Sequence, residues 1–224
     1  MKKILVVLVL FFNTYINAQS ISQIDSLTIE MCKTLSESTP KKDSALIRFA
    51  YEKHLSPFFK KQAAITNDEQ FAALYDRVYF RFQKNCPLFG EILSLYEENK
   101  SDWKLLPEVP SGNVSKSECR KLVKIGNFFY KEHNGDKVYV TISKKTWTEK
   151  FKDNTYSNLS FKWNDDCKFD LKFIESNNAI RKNLSVKDDA YHYGIFNIQN
   201  GIYDVWVLDK SNKSVYSFKL YPVD

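Results

Sequence analysis

The chain has 224 residues, of which 43% are hydrophobic, and this is enough for one large domain or two small ones with real cores. Glycine and proline are scarce, at 6 residues each, so long disordered linkers are not expected. The formal net charge is +6, with acidic and basic residues interspersed. The absence of a basic stripe interleaved with aromatic residues argues against nucleic-acid binding.

Residues 1–18 have the layout of a secretory signal peptide. Lys2 and Lys3 give a basic start, an unbroken apolar run spans residues 4–12, and Ala18 offers a small residue for cleavage. The apolar run is too short for a transmembrane helix, and no later segment is long and apolar enough to span a bilayer. We therefore expect an exported protein, periplasmic or extracellular, without an integral membrane segment.

Apolar residues recur at helical spacing between residues 19 and 99. Ser56-Pro57 is expected to end or kink one helix, and Thr66 with Glu69 matches a capping box at the start of another. We predict a bundle of about four helices over residues 19–99.

The stretch 100–117 contains prolines, a glycine and several serines, and we interpret it as a linker. Beyond it, over residues 118–224, the hydrophobic period changes to two and turn signals recur regularly. This pattern predicts an antiparallel meander that closes into a barrel or a sandwich. The predicted fold class is therefore α+β, with an N-terminal helical bundle followed by the β domain.

The acidic stretch 161–171, FKWNDDCKFDL, is either a metal or catalytic site or only a turn. If residues 164–166 form a three-residue loop, the flanking apolar residues share one face of a hairpin and the polar residues share the other. A metal site would need further ligands, and the sequence marks none. We therefore predict a turn, which places Phe161 opposite Phe169.

Asn134-Gly135 and Asn200-Gly201 are signals for two-residue hairpin turns. The second turn would place Phe196 opposite Val205 on the core face, which leaves a second apolar face on the same hairpin. That face would pack on the helical bundle, line a pocket or bind a partner. The candidate ligand- or partner-binding residues are Tyr193, Ile195, Trp206 and Leu208, together with His192.

Four cysteines in an exported chain favour two disulfides, and they allow three pairings. Free thiols or a metal site are the alternatives, but no two cysteines are close and none forms a C-x-x-C pair. We prefer Cys32–Cys86 and Cys119–Cys167, because this pairing keeps each bridge within one half of the chain. A bridge that closes a loop of about 50 residues contributes about 4 kcal/mol of stability.

Three segments of the β half form a recognisable pattern: CRKL at 119–122, GNF at 126–128, and a Trp-x-x-x-Cys-x-aromatic-x-Leu core at 163–171. With this pattern the β half resembles a group of small exported bacterial β proteins of unknown function. The resemblance covers about half of the chain, and Asn127 stands where the group usually has lysine or arginine. It implies export and a disulfide-linked β domain, and no particular chemistry.

The sequence contains no H-E-x-x-H, G-x-S-x-G or glycine-rich phosphate-loop motif. His192 lies beside aromatic residues and two acids, which makes it the best histidine candidate for acid–base chemistry. Paired carboxylates have no fixed sequence spacing. The arguable members of such a pair are Glu149, Glu175, Asp165 and Asp166.

We therefore expect a non-catalytic binding protein, without metal or cofactor, for a partner protein, an envelope component or a small apolar ligand. One alternative is a secreted hydrolase that uses carboxylates and His192, and another is an inhibitor or toxin-neutralising protein. A hydrolase needs a cleft where His192 meets an acid. A ligand binder needs an open apolar barrel mouth, and an inhibitor needs an exposed aromatic patch on a closed barrel.

Overall fold

The computed structural model combines helices with an antiparallel eight-stranded barrel. The predicted signal peptide, residues 1–18, and Thr66 of the predicted capping box lie outside the described residues. No described helix combines the length and the hydrophobicity that a membrane crossing requires. The structure describes residues 20–37, 44–61, 65, 67–96, 98–209 and 213–223.

The described part of the N-terminal region contains five α-helices, whose apolar faces share one core around the fully buried Met31, Phe82 and Phe89. The helices are α1 (Ile21–Glu37), α2 (Ser44–Ala50), α3 (Ser56–Lys60), α4 (Asp68–Asn85) and α5 (Pro87–Ser94).

Two details of these helices differ from the sequence prediction. Ser56-Pro57 does not end a helix, because a π-helical segment, Tyr51–Leu55, leads directly into α3. The Ser56 amide donates to the carbonyl of Tyr51, five residues back, and this wider turn precedes the proline ring. Helix α4 is capped by Asn67, whose side chain accepts a hydrogen bond from the amide of Gln70 at 2.9 Å.

Strands β2 to β9 pair in sequence order, each antiparallel to the next, and β9 also pairs with β2. The sheet therefore closes into an up-and-down barrel. The strands are β1 (Lys104–Leu106), β2 (Asn127–Lys131), β3 (Lys137–Ile142), β4 (Thr146–Lys150), β5 (Tyr156–Trp163), β6 (Lys168–Ser176), β7 (Ala190–Gln199), β8 (Ile202–Asp209) and β9 (Val215–Pro222).

The two ends of the barrel are covered differently. At the end where β2 begins, here called the closed end, lie two short helices, α6 (Lys116–Cys119) and α7 (Lys121–Ile125). Leu122 of α7 is completely buried in the barrel core. At the opposite end, here called the open end, α8 (Ala179–Leu184) connects β6 to β7 and packs against α4 of the helical region.

Both disulfides have the pairing that the sequence favours. Cys32–Cys86 joins α1 to the residue before α5, and Cys119–Cys167 joins α6 to the loop between β5 and β6. Disulfides of this kind are typical of proteins that fold in an oxidising environment outside the cytoplasm.

The acidic stretch forms a turn, as predicted, but the loop starts one residue later than expected. The amide of Asn164 donates to the carbonyl of Lys168, so residues 165–167 form the loop. Phe161 therefore lies opposite Leu171 rather than Phe169. The shift amounts to two residues, so the apolar and polar faces stay as predicted.

The hairpin between β2 and β3 also has a three-residue loop, where the sequence predicts two. The amide of Glu132 donates to the carbonyl of Asp136 at 2.8 Å, and Gly135 has a left-handed backbone with φ of 87°. Three-residue hairpin loops commonly end on a residue in this conformation, which glycine adopts without strain. The Asn134-Gly135 pair therefore marks the turn correctly but not its length.

A β-bulge in β7 makes the prediction that Phe196 lies opposite Val205 wrong. Ile195 pairs with Val205 and Asn197 pairs with Asp204, so Phe196 has no partner on β8. One extra residue in a strand exchanges the two faces of everything beyond it.

Because of this bulge, Tyr193 and Ile195 lie on the interior face of the barrel, not on a second apolar face. The other three predicted binding residues, His192, Trp206 and Leu208, lie on the outer face. Trp206 and Leu208 alternate with interior residues of β8, and His192 pairs with Leu208.

On the outer face, the indole of Trp206 packs closely against Gly194, and a single substitution tests this contact. A Cβ atom at Gly194 would lie inside van der Waals contact of the Trp206 indole, which is only 6% exposed. We expect Gly194→Ala to lower the free energy of unfolding by about 1–3 kcal/mol, because the ring must leave its packed position. Urea denaturation of both proteins measures the difference.

Gly90 of α5 provides the matched control, because a Cβ there would meet nothing within 4 Å. Gly90→Ala should be neutral or stabilising, since alanine favours the helix more than glycine does. If the two variants unfold at the same urea concentration, the packing of Trp206 on Gly194 is contradicted.

Candidate functional site

A cavity of about 370 Å³ opens inside the barrel at its open end. Its volume lies in the range of small-molecule sites. The walls are mostly apolar and aromatic side chains from the interior faces of the strands: Tyr130, Trp147, Leu159, Phe173, Tyr193, Val207 and Phe218.

The mouth of the cavity is formed by parts of the chain outside the eight closed strands. Helix α4 contributes Gln83 and Lys84, and α8 contributes Arg181 and Leu184. Trp103, just before β1, stacks on Phe218 with ring centroids 4.4 Å apart. Trp103 also donates its indole N–H to the carbonyl of Lys131 at 3.1 Å, which fixes the ring at the wall.

Aromatic side chains form a large part of the cavity wall. Tyr193 stacks on Phe169 with centroids 5.2 Å apart and lies 6.1 Å from Trp147. Stacked rings hold each other in fixed orientations, so they form a preorganised wall for a flat or apolar ligand.

Five side chains form a polar cluster in this apolar surrounding, and Glu149 of β4 is at its centre. The Tyr130 hydroxyl donates to Glu149 Oε1 at 3.1 Å, and the Trp147 indole N–H donates to the same oxygen at 3.3 Å. Arg181 Nη2 donates to the Tyr130 hydroxyl at 3.0 Å and also to Glu132. The guanidinium thus contacts two carboxylates, since its Nε lies 3.6 Å from Glu149 Oε2.

Burial changes the protonation behaviour of this cluster. Burial raises the pKa of Glu149, and Glu132 adds to the rise, while Arg181 and the two hydrogen bonds only partly offset it. Burial also holds the pKa of Tyr130 well above its ordinary value. Burial alone would lower the pKa of Arg181, but Tyr130, Glu132 and Glu149 outweigh it and raise that pKa.

An ionic network around the buried side chains of Arg81 and Lys84 links the helical region to the barrel beside the cavity mouth. Arg81 of α4 donates to both carboxylate oxygens of Asp25, at 2.7 and 2.6 Å, and to Asp189 at 3.1 Å. Lys84, one turn further along α4, contacts the same Asp189 and donates to the Tyr191 hydroxyl at 3.0 Å. The network therefore links α1 and α4 to the loop that leads into β7.

Asp189 is the carboxylate that this network shares between two cations. Burial would raise the pKa of Asp189, but Lys84, the Val186 amide and Arg81 outweigh that effect and hold the pKa below its ordinary value. Asp189 therefore remains charged at neutral pH, beside the cavity-lining Lys84.

Of the binding residues predicted from the sequence, only Tyr193 lines the cavity. Ile195 is buried in the barrel core, and Trp206 and Leu208 lie on the outer face. His192 also lies outside, where its Nδ1 contacts Asp170 on the neighbouring strand. The structure thus does not bring His192 together with Glu149.

Among the four carboxylates considered from the sequence, Glu149 alone lines the cavity. Glu175 is exposed on β6, and Asp165 and Asp166 lie in the exposed loop between β5 and β6. Sequence reasoning missed Arg181, because no sequence signal predicts that α8 folds over the open end.

Neither a metal site nor a similarity to known proteins indicates the function of this chain. Among the residues that the structure describes, no group of three or more His, Cys, Asp or Glu side chains could hold a metal ion. No protein-family model, curated protein or solved structure matches this chain significantly.

Proposed function

We propose that this protein is an exported, non-catalytic binding protein that holds a small, largely apolar ligand in the barrel cavity. The cavity carries this proposal: it is concave, lies within a closed barrel and is lined by aromatic side chains around a few polar groups. This combination is characteristic of small-molecule binding sites. The two disulfides and the signal-peptide pattern of residues 1–18 support a periplasmic or extracellular location.

A fluorescent probe tests this function directly. The uncharged fluorophore N-phenyl-α-naphthylamine should bind the disulfide-bonded protein and increase its emission as it enters an apolar site. Val207→Phe should weaken probe binding by roughly tenfold or more, because a phenyl group placed in an occupied cavity costs about 1–3 kcal/mol. Fluorescence titration measures both affinities.

Leu208→Phe is the matched control, since it adds a similar group to the next residue of β8, on the outer face. It should leave the affinity for the probe unchanged. If the folded protein does not bind the probe, the proposed function is contradicted. If Leu208→Phe weakens binding and Val207→Phe does not, the outer face is the binding site.

A further inference from the structure

When Glu132 and Glu149 are both ionised, the polar cluster in the cavity has more negative than positive charge. Among the residues that the structure describes, Arg181 is the only cationic side chain in contact with Glu132 or Glu149. One guanidinium therefore faces two carboxylates, of which Glu132 is 32% exposed and Glu149, inside the cavity, is 13% exposed. An unbalanced buried charge is unfavourable unless a proton or a bound cation compensates it.

Lys84 also lines the cavity, but its charge is already matched. Lys84 and Arg81 together face Asp189 and Asp25, which gives two cations and two carboxylates in the same network. The excess negative charge of the Arg181 cluster is therefore not cancelled by the network at the mouth.

Glu149 also has an oxygen that accepts no hydrogen bond from the described residues. Its Oε1 accepts hydrogen bonds from Tyr130 and Trp147. The contact of Oε2 with Arg181 Nε, at 3.6 Å, is longer than a hydrogen bond. Glu149 lines the cavity, and we infer that this oxygen can accept a hydrogen bond from a donor that a ligand carries.

The walls around Glu149 favour the same kind of ligand. The faces of tryptophan and tyrosine rings carry negative electrostatic potential and attract organic cations. Trp103, Trp147 and Tyr193 present such rings around the cavity, within the barrel that also holds Glu149. An ammonium group attached to an apolar body would therefore meet both a carboxylate and aromatic faces.

We propose that the ligand of the cavity is an organic cation, an amine with an apolar or aromatic body, whose ammonium group binds Glu149. This inference rests on the proposed function and specifies the chemistry of its ligand. The ammonium supplies the positive charge that the Arg181 cluster lacks.

Three probes that share one skeleton test the charge of the preferred ligand: phenethylamine, phenethyl alcohol and phenylacetate. Each is used to displace N-phenyl-α-naphthylamine from the disulfide-bonded protein at neutral pH. Phenethylamine should displace the fluorophore at a concentration roughly tenfold below that of the alcohol, because charged hydrogen bonds are stronger than neutral ones. Phenylacetate should be the weakest of the three.

Glu149→Gln should remove the preference for the amine, because the amide keeps the shape and an acceptor oxygen but lacks the charge. Glu175→Gln, an exposed glutamate on the outside of β6, should keep it. The wild-type series needs no variant, so a folding defect in Glu149→Gln does not weaken the test. Equal displacement by amine and alcohol, or stronger displacement by phenylacetate, would overturn the inference.

The pH dependence of displacement provides an independent readout. A proton on Glu149 competes with the ammonium, so the affinity for phenethylamine should fall as the pH is lowered through the raised pKa of Glu149. The other charged or titratable groups around it are Tyr130, Glu132, Arg181, Lys84 and His133. In Glu149→Gln this pH dependence should disappear, and its persistence would place the responsible group elsewhere.

The two proposals fail in different ways. Absence of fluorophore binding would contradict the proposed function itself. Fluorophore binding without a preference for the amine would leave a small-molecule binding protein and contradict only the cationic ligand.

Discussion

Replacing Arg81 with methionine is expected to lower the free energy of unfolding by about 3 kcal/mol, because it leaves the partly buried Asp25 without a cation and Asp189 with Lys84 alone. The side chain of Arg81 is only 4% exposed, and it holds both Asp25 and Asp189. Methionine fills a similar volume, so the loss reports the charge more than the packing. Urea denaturation, followed by helical circular dichroism and by tryptophan fluorescence, measures it.

Arg77→Met is the matched control, one helical turn earlier in α4. Arg77 is half-buried and donates to the neutral Asn183 at 3.0 Å, so its removal leaves no charge unpaired. We expect a loss of about 1 kcal/mol. Adding Asp25→Asn to Arg81→Met should restore part of the stability. A loss in Arg81→Met no larger than that in Arg77→Met would contradict the account of this network.

The pH should affect the same network in a defined direction. The pKa of Asp189 is held below its ordinary value in the folded protein. Its stabilising contribution is therefore complete above that ordinary value and is lost as the pH falls through the lowered folded pKa.

Removing the barrel disulfide is the second change with a large expected effect. The variant Cys119→Ala with Cys167→Ala should lose about 4 kcal/mol of unfolding free energy, because the unfolded chain is no longer constrained by a loop of this length. The two cysteines are 48 residues apart, and Cys119 is completely buried, so alanine avoids placing a hydroxyl in the core.

The natural tryptophans make this loss measurable in the barrel itself. All 4 tryptophans of the chain lie between residues 103 and 206, and none lies in α1 to α5. The tryptophan-detected urea midpoint should therefore fall in the double variant. The variant Cys32→Ala with Cys86→Ala, which opens a bridge of similar span, is the control for the helical region. An unchanged tryptophan midpoint in the barrel variant would contradict the stabilising role of Cys119–Cys167.

Sequence patterns predict the location of turns in this protein better than the register of its strands. Asn134-Gly135 marks a hairpin, but a three-residue loop and a two-residue loop share the same signal. The bulge at Phe196 has no sequence signal at all, and it decides which face of β7 is interior. A single inserted residue therefore explains why the sequence pattern predicts the wrong face for Tyr193 and Ile195.

The candidate site was only partly predictable for a related reason. Glu149 and Tyr193 stand in recognisable strands, so both could be identified as candidates from the sequence. Their partner Arg181 comes from a six-residue helix, and Trp103 comes from a stretch that composition alone indicates to be a linker. Cavity walls assembled from distant segments depend on tertiary packing, which local patterns do not encode.

The predicted linker also contains β1, and this strand determines where the chain can be divided. Strand β9 pairs with β2 at only two positions near its end, whereas β1 pairs with its first three residues. In a fragment that starts at residue 118, those three residues of β9 would form an unpaired sheet edge, which favours aggregation. It would also lack Trp103. A recombinant fragment intended to retain the barrel cavity and a paired β9 must therefore begin upstream of Trp103.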